Sequence, residues 1–260
     1  MIYAIVNAFC PTVQLARTLI EYDNNPLVDK LIIVNSHYPS RHYEKNQTDF
    51  RILMDSYCHI HSKCTVLDPG QDLGSAQAQN YALDEFAVEL DEENSYFINL
   101  DPDAACRAKG DPILGDNWIS AAKRVLDSDF QLAVVSCNAP MVENFISTRH
   151  QNMEIKEVAG IRLMLPDVPT PFNLSMWRYS FIKSIGGIPQ KFPYYGEVEG
   201  PVFGLTRAHG FYNAYLKDYM EDEQGKLMHD RAFEDWKDAH ARENTFLGNF
   251  KEYIEQNNLL

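Results

Sequence analysis

Short β-branched and aromatic runs alternate with amphipathic stretches through the first half of the chain, the pattern of a parallel sheet covered by helices. The runs predict strands at Ile2–Ala8, 31–35, Cys64–Leu67, Tyr96–Leu100 and 131–136. Between them Val13, Ala16, Leu19 and Ile20 share one helical face, and Ala78, Ala82, Phe86 and Leu90 share another that Ser75 is placed to cap. A third helix is predicted over 117–126, led by Asp116 and turning Trp118, Ala121, Ala122 and Val125 inward. After about residue 140 the alternation fades into Pro-rich loops, notably 166–171, with no internal repeat and no low-complexity tract.

In open α/β sheets the ligand sits beyond the carboxyl ends of the strands, so segments 8–11, 35–37, 68–70 and 101–103 are where chemistry is expected. The last of these, Asp101-Pro102-Asp103, follows the buried run Tyr96-Phe97-Ile98-Asn99-Leu100. Two carboxylates one residue apart at the mouth of a strand suit a hard divalent cation. Mg²⁺ and Mn²⁺ prefer oxygen ligands and keep positions open for phosphate oxygens. Pro102 fixes its own φ and stiffens the turn. Alone the triplet is also what a solvated turn looks like, and only its context separates the two readings.

With 260 residues and 45% hydrophobic content, the chain can bury the core of one large α/β domain. We divide it into a first half, 1–140, that carries the alternating pattern, and a second half, 141–260, with a closing C-terminal segment. No apolar stretch approaches a membrane span, and Met1 leads straight into a strand with no basic leader, so a cytoplasmic protein is expected. The formal charge of −14 argues against broad adhesion to nucleic acid or anionic lipid. Five scattered cysteines, Cys10, Cys58, Cys64, Cys106 and Cys137, do not form the framework of a secreted disulfide-rich domain and are expected to be reduced. The segment Cys58-His59-Ile60-His61-Ser62-Lys63-Cys64 packs four ligand-type residues into seven positions, but zinc sites draw on separated pairs, so zinc is not expected there.

In this order the segments resemble the GT-A glycosyltransferases, in particular the large family 2 of mostly inverting enzymes. The likeness covers roughly residues 2–240. Its pieces are the first strand, Val34-Asn35-Ser36, Leu73-Gly74-Ser75-Ala76-Gln77-Ala78-Gln79-Asn80, the turn at Asp101, Trp177-Arg178 with Ile185-Gly186-Gly187, and Gly196-Glu197-Val198-Glu199 followed by Arg207 and Gly210.

The resemblance implies a three-layer α/β/α sandwich with a mostly parallel sheet and a C-terminal acceptor-side extension, residues 1–140 being the nucleotide-sugar-binding half and 141–260 the acceptor-side half with its closing segment. It also implies metal-dependent transfer of a sugar from a nucleoside diphosphate sugar, with a UDP-sugar favoured as donor. The acceptor hydroxyl belongs to a saccharide, a lipid-linked glycan, a protein or a modified nucleobase. Asp101 and Asp103, joined by His229, would hold Mn²⁺ or Mg²⁺. Glu199 is the expected base, with Glu197 the alternative. Ala8, Phe9, Asn35, Asp72, Gly74 and Asn80 stand at nucleoside-contacting positions, although Asn80 equally suits a helix residue tied to a nearby loop. Arg17, Arg178 and Arg207 are candidate phosphate partners because guanidinium groups pair bidentately with phosphate, and Arg178 is favoured because it lies in a matched motif. Two departures stand out: Asn35 and Ser36 replace the acids the family often has after its second strand, and Glu197-Val198-Glu199 replaces adjacent Glu-Asp. A sugar nucleotidyltransferase would need a Gly-rich, Arg-containing loop after the first strand, which Cys10-Pro11-Thr12-Val13-Gln14 is not. A binder of nucleotide or carbohydrate without turnover is the remaining alternative.

Overall fold

The computed structural model describes residues 1–8, 13–37, 43–71, 73–102, 104–108, 117–138, 153–167, 174–189 and 198–223. Its framework is a ten-stranded sheet. Strands β1 (Ile2–Ala8), β2 (Lys30–Asn35), β3 (Cys64–Leu67) and β4 (Tyr96–Leu100) run parallel in the order β3-β2-β1-β4. Every residue of β1 is buried, the continuous burial expected of a strand covered on both faces. These strands follow the sequence expectation to within one residue.

The other strands are β5 (Ala104–Ala108), β6 (Leu132–Asn138), β7 (Glu154–Val158), β8 (Ile161–Leu165), β9 (Leu174–Arg178) and β10 (Tyr212–Glu223). The sheet continues from β4 as β9-β6-β10-β8-β7, with β5 paired to β10. The mostly parallel sheet expected from the sequence is therefore corrected to a mixed one. Among the described strands four pairings are parallel and five antiparallel. β9 makes the change, lying antiparallel to both β4 and β6. Its Trp177 is the register partner of Phe97, and the two rings stack with centroids 5.5 Å apart, a cross-strand aromatic pair that fixes the insertion.

Six helices are described: α1 (Val13–Asp23), α2 (Tyr43–Cys58), α3 (Gly74–Glu85), α4 (Trp118–Ser128), α5 (Tyr179–Ser184) and α6 (Glu199–Ala208). Alternate residues of β1 feed two apolar clusters. Ile2, Ala4 and Val6 pack with residues of α1, α2 and α4, whereas Tyr3 and Ile5 pack with residues of α3, α5 and α6. The chain thus winds from β1 outward to β3 past α1 and α2. It returns past α3 on the other face and lays β4 against the free side of β1. The winding reverses between β1 and β4, the place where open α/β sheets leave a ligand crevice beyond their carboxyl ends.

Two helix starts differ from expectation. α4 is capped by Asn117, whose Oδ1 accepts from Ser120 N–H at 2.9 Å, and not by Asp116. α3 has Leu73 at its N-cap with no side-chain cap, and Ser75 lies inside the first turn, where its Oγ accepts from Gln79 Nε2 at 3.4 Å. Gly74 makes that entry possible by taking a left-handed φ of 68°, which a side chain would oppose. No described helix is long and apolar enough to cross a membrane.

Candidate functional site

Polar side chains gather at the carboxyl ends of β1 to β4. Asn7 and Asn35 sit at or near the ends of otherwise apolar strands, and both are buried, so each needs a hydrogen-bond partner. Ser36 Oγ donates to Asn7 Oδ1. Asn35 Nδ2 donates to Gln47 Oε1 at 2.8 Å and to Asp68 Oδ2 at 3.2 Å, and Gln47 Nε2 returns a bond to Asn35 Oδ1 at 3.3 Å. The His37 imidazole pairs with Asp68 through Nε2. His37 does so from a left-handed backbone, φ 48°, which is strained for a residue with a Cβ and is held there by these contacts. Gly70 N–H closes the cluster on Asp68 Oδ1 at 2.9 Å. Partial burial works against ionisation of Asp68, but the bonds from His37, Gly70 and Asn35 outweigh it and hold its carboxyl below the ordinary range.

Asp101 stands next to this cluster in register, since Val6 pairs with Leu100 and Ala8 with Asn35. Its turn is pinned from α1, where Thr18 Oγ1 donates to the Pro102 carbonyl at 3.1 Å. Asn99, one residue before the end of β4, accepts from Gln79 of α3. The turn leads into β5, whose Ala104 pairs with Glu223 at the end of β10, so the last described part of the chain returns to the same edge.

Ala8, Asn35 and Asp101 therefore share one edge. Phe9, Asp72, Asp103, Glu197 and His229 lie outside the described residues. Among the described residues no group of three or more His, Cys, Asp or Glu side chains is arranged to hold a metal ion. Asp101 offers a hard oxygen donor of the kind Mn²⁺ and Mg²⁺ take, and in that respect the site fits such an ion. The segments holding His37 and Asp68 were expected from the sequence to carry chemistry, but neither residue was singled out, and Gln47 gave no signal. Asp68 follows the last residue of β3 as Asp101 follows the last residue of β4, and that shared position was the signal.

Glu199 is the first residue of α6. Burial pushes its carboxyl above the ordinary range, against the opposing pull of the backbone N–H groups of Glu199 and Val198. Asn80 takes the second of the two roles open to it. Its Nδ2 donates to the Ile188 carbonyl and its Oδ1 accepts from Ile188 N–H, both at 2.8 Å, tying α3 to the loop after α5. Gly187 lets that approach happen: its φ is 104°, and a Cβ there would meet Asn80 Oδ1 at 3.2 Å.

Arg178 does not sit where a phosphate partner would. It pairs with Tyr96 at the start of β4, the opposite end of the sheet from Asp101, and is 3% exposed. Its Nε donates to the Leu132 carbonyl at 3.1 Å, and Nη2 donates to the carbonyls of Leu126 and, at 3.1 Å, Asp129. The guanidinium is thus spent on the carbonyls at the end of α4 and the start of β6. A cleft of about 560 Å³ lined by Glu154, Phe203, Arg207 and Asn213 also opens near this end, where β10 begins, and among the described residues Arg207 is the one candidate phosphate partner that lines it.

No protein-family model and no curated protein sequence matches the chain. Solved structures do. The chain is similar to GalNAc-T7 crystallised with UDP, GalNAc and Mn²⁺, with a TM-score of 0.56 and 11% identity, over 85% of this chain and 43% of that one. It is also similar to a mycobacterial protein, with a TM-score of 0.52 and 14% identity, over 87% of this chain and 68% of the other. The chain spans less than half the length of the GalNAc-T7 chain. Identities this low speak to fold alone, and the fold of this chain is GT-A-like.

Proposed function

We propose that the chain is a metal-dependent glycosyltransferase that moves a sugar from a UDP-sugar to an acceptor hydroxyl with inversion. The observation that carries this reading is the acid turn Asp101-Pro102-Asp103 directly beyond β4, at the winding reversal of a GT-A-like sheet. The similar GalNAc-T7 structure holds UDP and Mn²⁺, which favours the same class of donor and ion here.

Asp101 and Asp103 would hold the ion. His229 is six residues beyond Glu223, within about 20 Å of chain from the same edge. The bound ion supplies Lewis-acid neutralisation of the departing diphosphate. The neutral and acidic groups around Asn35, His37 and Asp68 read the nucleoside, with Ala8 and Gly74 letting backbone approach it. Glu199 takes the proton of the acceptor hydroxyl as that oxygen bonds to the anomeric carbon and the carbon–oxygen bond to diphosphate breaks. Its raised pKa suits this role, because a carboxylate whose pKa is pushed toward neutrality is the stronger acceptor of the hydroxyl proton.

The test is UDP release from a panel of UDP-sugars, with and without Mn²⁺. The reading expects release only with the ion, and a fall of about 100-fold or more in Glu199→Gln. Full metal-dependent turnover in both Asp101→Asn and Asp103→Asn would overturn it. UDP binding with no release from any sugar would make the protein a binder instead.

A further inference from the structure

Cys58 ends α2 and Cys64 begins β3, and the five residues between them fold into a tight turn. The N–H groups of Ile60 and His61 both return to the Tyr57 carbonyl at 3.1 Å, and Cys64 N–H returns to the His61 carbonyl at 3.1 Å. The His61 ring stacks on Tyr57 with centroids 4.1 Å apart, while its Nδ1 pairs with Asp23 of α1. Anchored in this way, the turn brings the two thiols into contact, Sγ to Sγ 2.6 Å. Both cysteines are half-buried and within reach of a small solute, whereas Cys137 is 1% exposed. The expectation of reduced, purely structural cysteines leaves this contact unexplained.

We infer that Cys58 and Cys64 are a modification site for small-molecule disulfides of the glutathione type, which oxidise them to a mutual disulfide that fastens the end of α2 to the edge strand β3. The inference stands independently of the transferase reading. In the first step the Cys58 thiolate attacks one sulfur of the reagent, forming a mixed disulfide and releasing one thiolate. In the second, Cys64 loses its proton and attacks the Cys58 sulfur, releasing the other thiolate. Two protein thiols are oxidised, one reagent disulfide is reduced to two thiols, and the protein's two protons end on them. The contact puts each thiol within reach of the other's mixed disulfide, and Cys58 leads because its hydrogen bond with Cys64 holds its thiol below the ordinary pKa, while the same bond, with burial, holds Cys64 above.

The link has a structural consequence next to the nucleotide edge. α2 carries Gln47 and β3 leads into Asp68, and both side chains contact Asn35. Closing the short loop between Cys58 and Cys64 ties the two elements that supply them.

The full chain, equilibrated in mixtures of reduced and oxidised glutathione, acid-quenched, alkylated and peptide-mapped, tests the inference. The expected result is a peptide joined through Cys58 and Cys64 that forms in one transition, with a rise in Tm of about 5 °C for the oxidised protein. Cys64→Ser should stop at a glutathione adduct on Cys58. The inference is overturned if the oxidised wild-type protein keeps both thiols or carries stable glutathione adducts on them. It also fails if either cysteine joins Cys10, Cys106 or Cys137 instead. The wild-type map decides the matter even if a serine variant does not fold.

Discussion

At the amino ends of the strands Arg178 is buried against three carbonyls, and Asp129 is shared between Lys156 at 2.8 Å and the Tyr212 hydroxyl at 2.6 Å. At the carboxyl ends, Asp68 is exposed and Asp101 half-buried, and the partners described around Asp68 are amides, an imidazole and a backbone N–H. Both ends are polar, but their charges are arranged differently. The amino end sets cation against acceptor and closes on itself, an arrangement that holds α4, β6, β7 and β10 together. The carboxyl end sets acids among amides and an imidazole along one edge, the arrangement on which the proposed binding of an ion and a nucleotide rests. Asp129 faces a lysine, whereas the partners described for Asp68 include no lysine or arginine, and that difference in counter-charge separates the two clusters.

The largest break in this comparison is expected from Arg178→Met. Removing the guanidinium leaves three carbonyls short of a buried donor, at a cost of about 3–5 kcal/mol in urea unfolding. UDP affinity of the protein that remains folded should not change. A loss of affinity without a loss of stability would return Arg178 to the nucleotide site.

Asn80→Leu comes next. Losing both bonds to Ile188 should lower stability by about 2–3 kcal/mol with no effect on UDP binding once folding is complete. A nucleoside-contacting Asn80 would show the reverse.

The pH dependence distinguishes the two regions by sign. Glu199 has a raised pKa in the folded protein, so the stability it contributes is full below the ordinary carboxylate value and is lost as pH rises through the raised one. Asp129 is opposite. Partial burial works against its ionisation, but Lys156, Tyr212 and the Gln131 N–H together hold it low, so its stability is present above the ordinary value and lost as pH falls. Glu199→Gln should flatten the decline of stability on the rising-pH side, and Asp129→Asn the decline on the acid side. Urea midpoints measured across pH check both. The smallest effect belongs to Arg162→Gln, which removes an exposed, solvent-screened pair with Asp218 and should leave the urea midpoint nearly unchanged.

The parallel half of the fold was legible because its strands are short, apolar and punctuated, and Asp101 was legible because it ends one of them. Of the mixed half only β6 was legible, expected over 131–136 and found at Leu132–Asn138. β10 is twelve residues of aromatic and charged positions, with register shifts between Tyr212 and Asn213 and between Leu216 and Met220 that erase any single period. α2 escaped for a related reason, since Phe50, Met54 and Tyr57 form a narrow stripe in a polar segment. At the site, Asn35 was visible as a departure from a family pattern, but its partners Gln47 and Asp68 come from other elements, and only tertiary structure brings them together. Arg178 was misread because a motif records which residue is present, while its role depends on which end of the strand it occupies.

The central claim is that the edge beyond β4 binds a nucleotide through a divalent cation. The most direct measurement is the thermal shift produced by UDP and Mn²⁺, separately and together, on the wild-type protein and on Asp101→Asn. At a ligand concentration near 100 times Kd the pair should stabilise the wild type by about 2.7 kcal/mol, a rise of roughly 5–10 °C, while neither alone does so and Asp101→Asn shows no rise. An equal shift in Asp101→Asn, or none in the wild type, would contradict the claim.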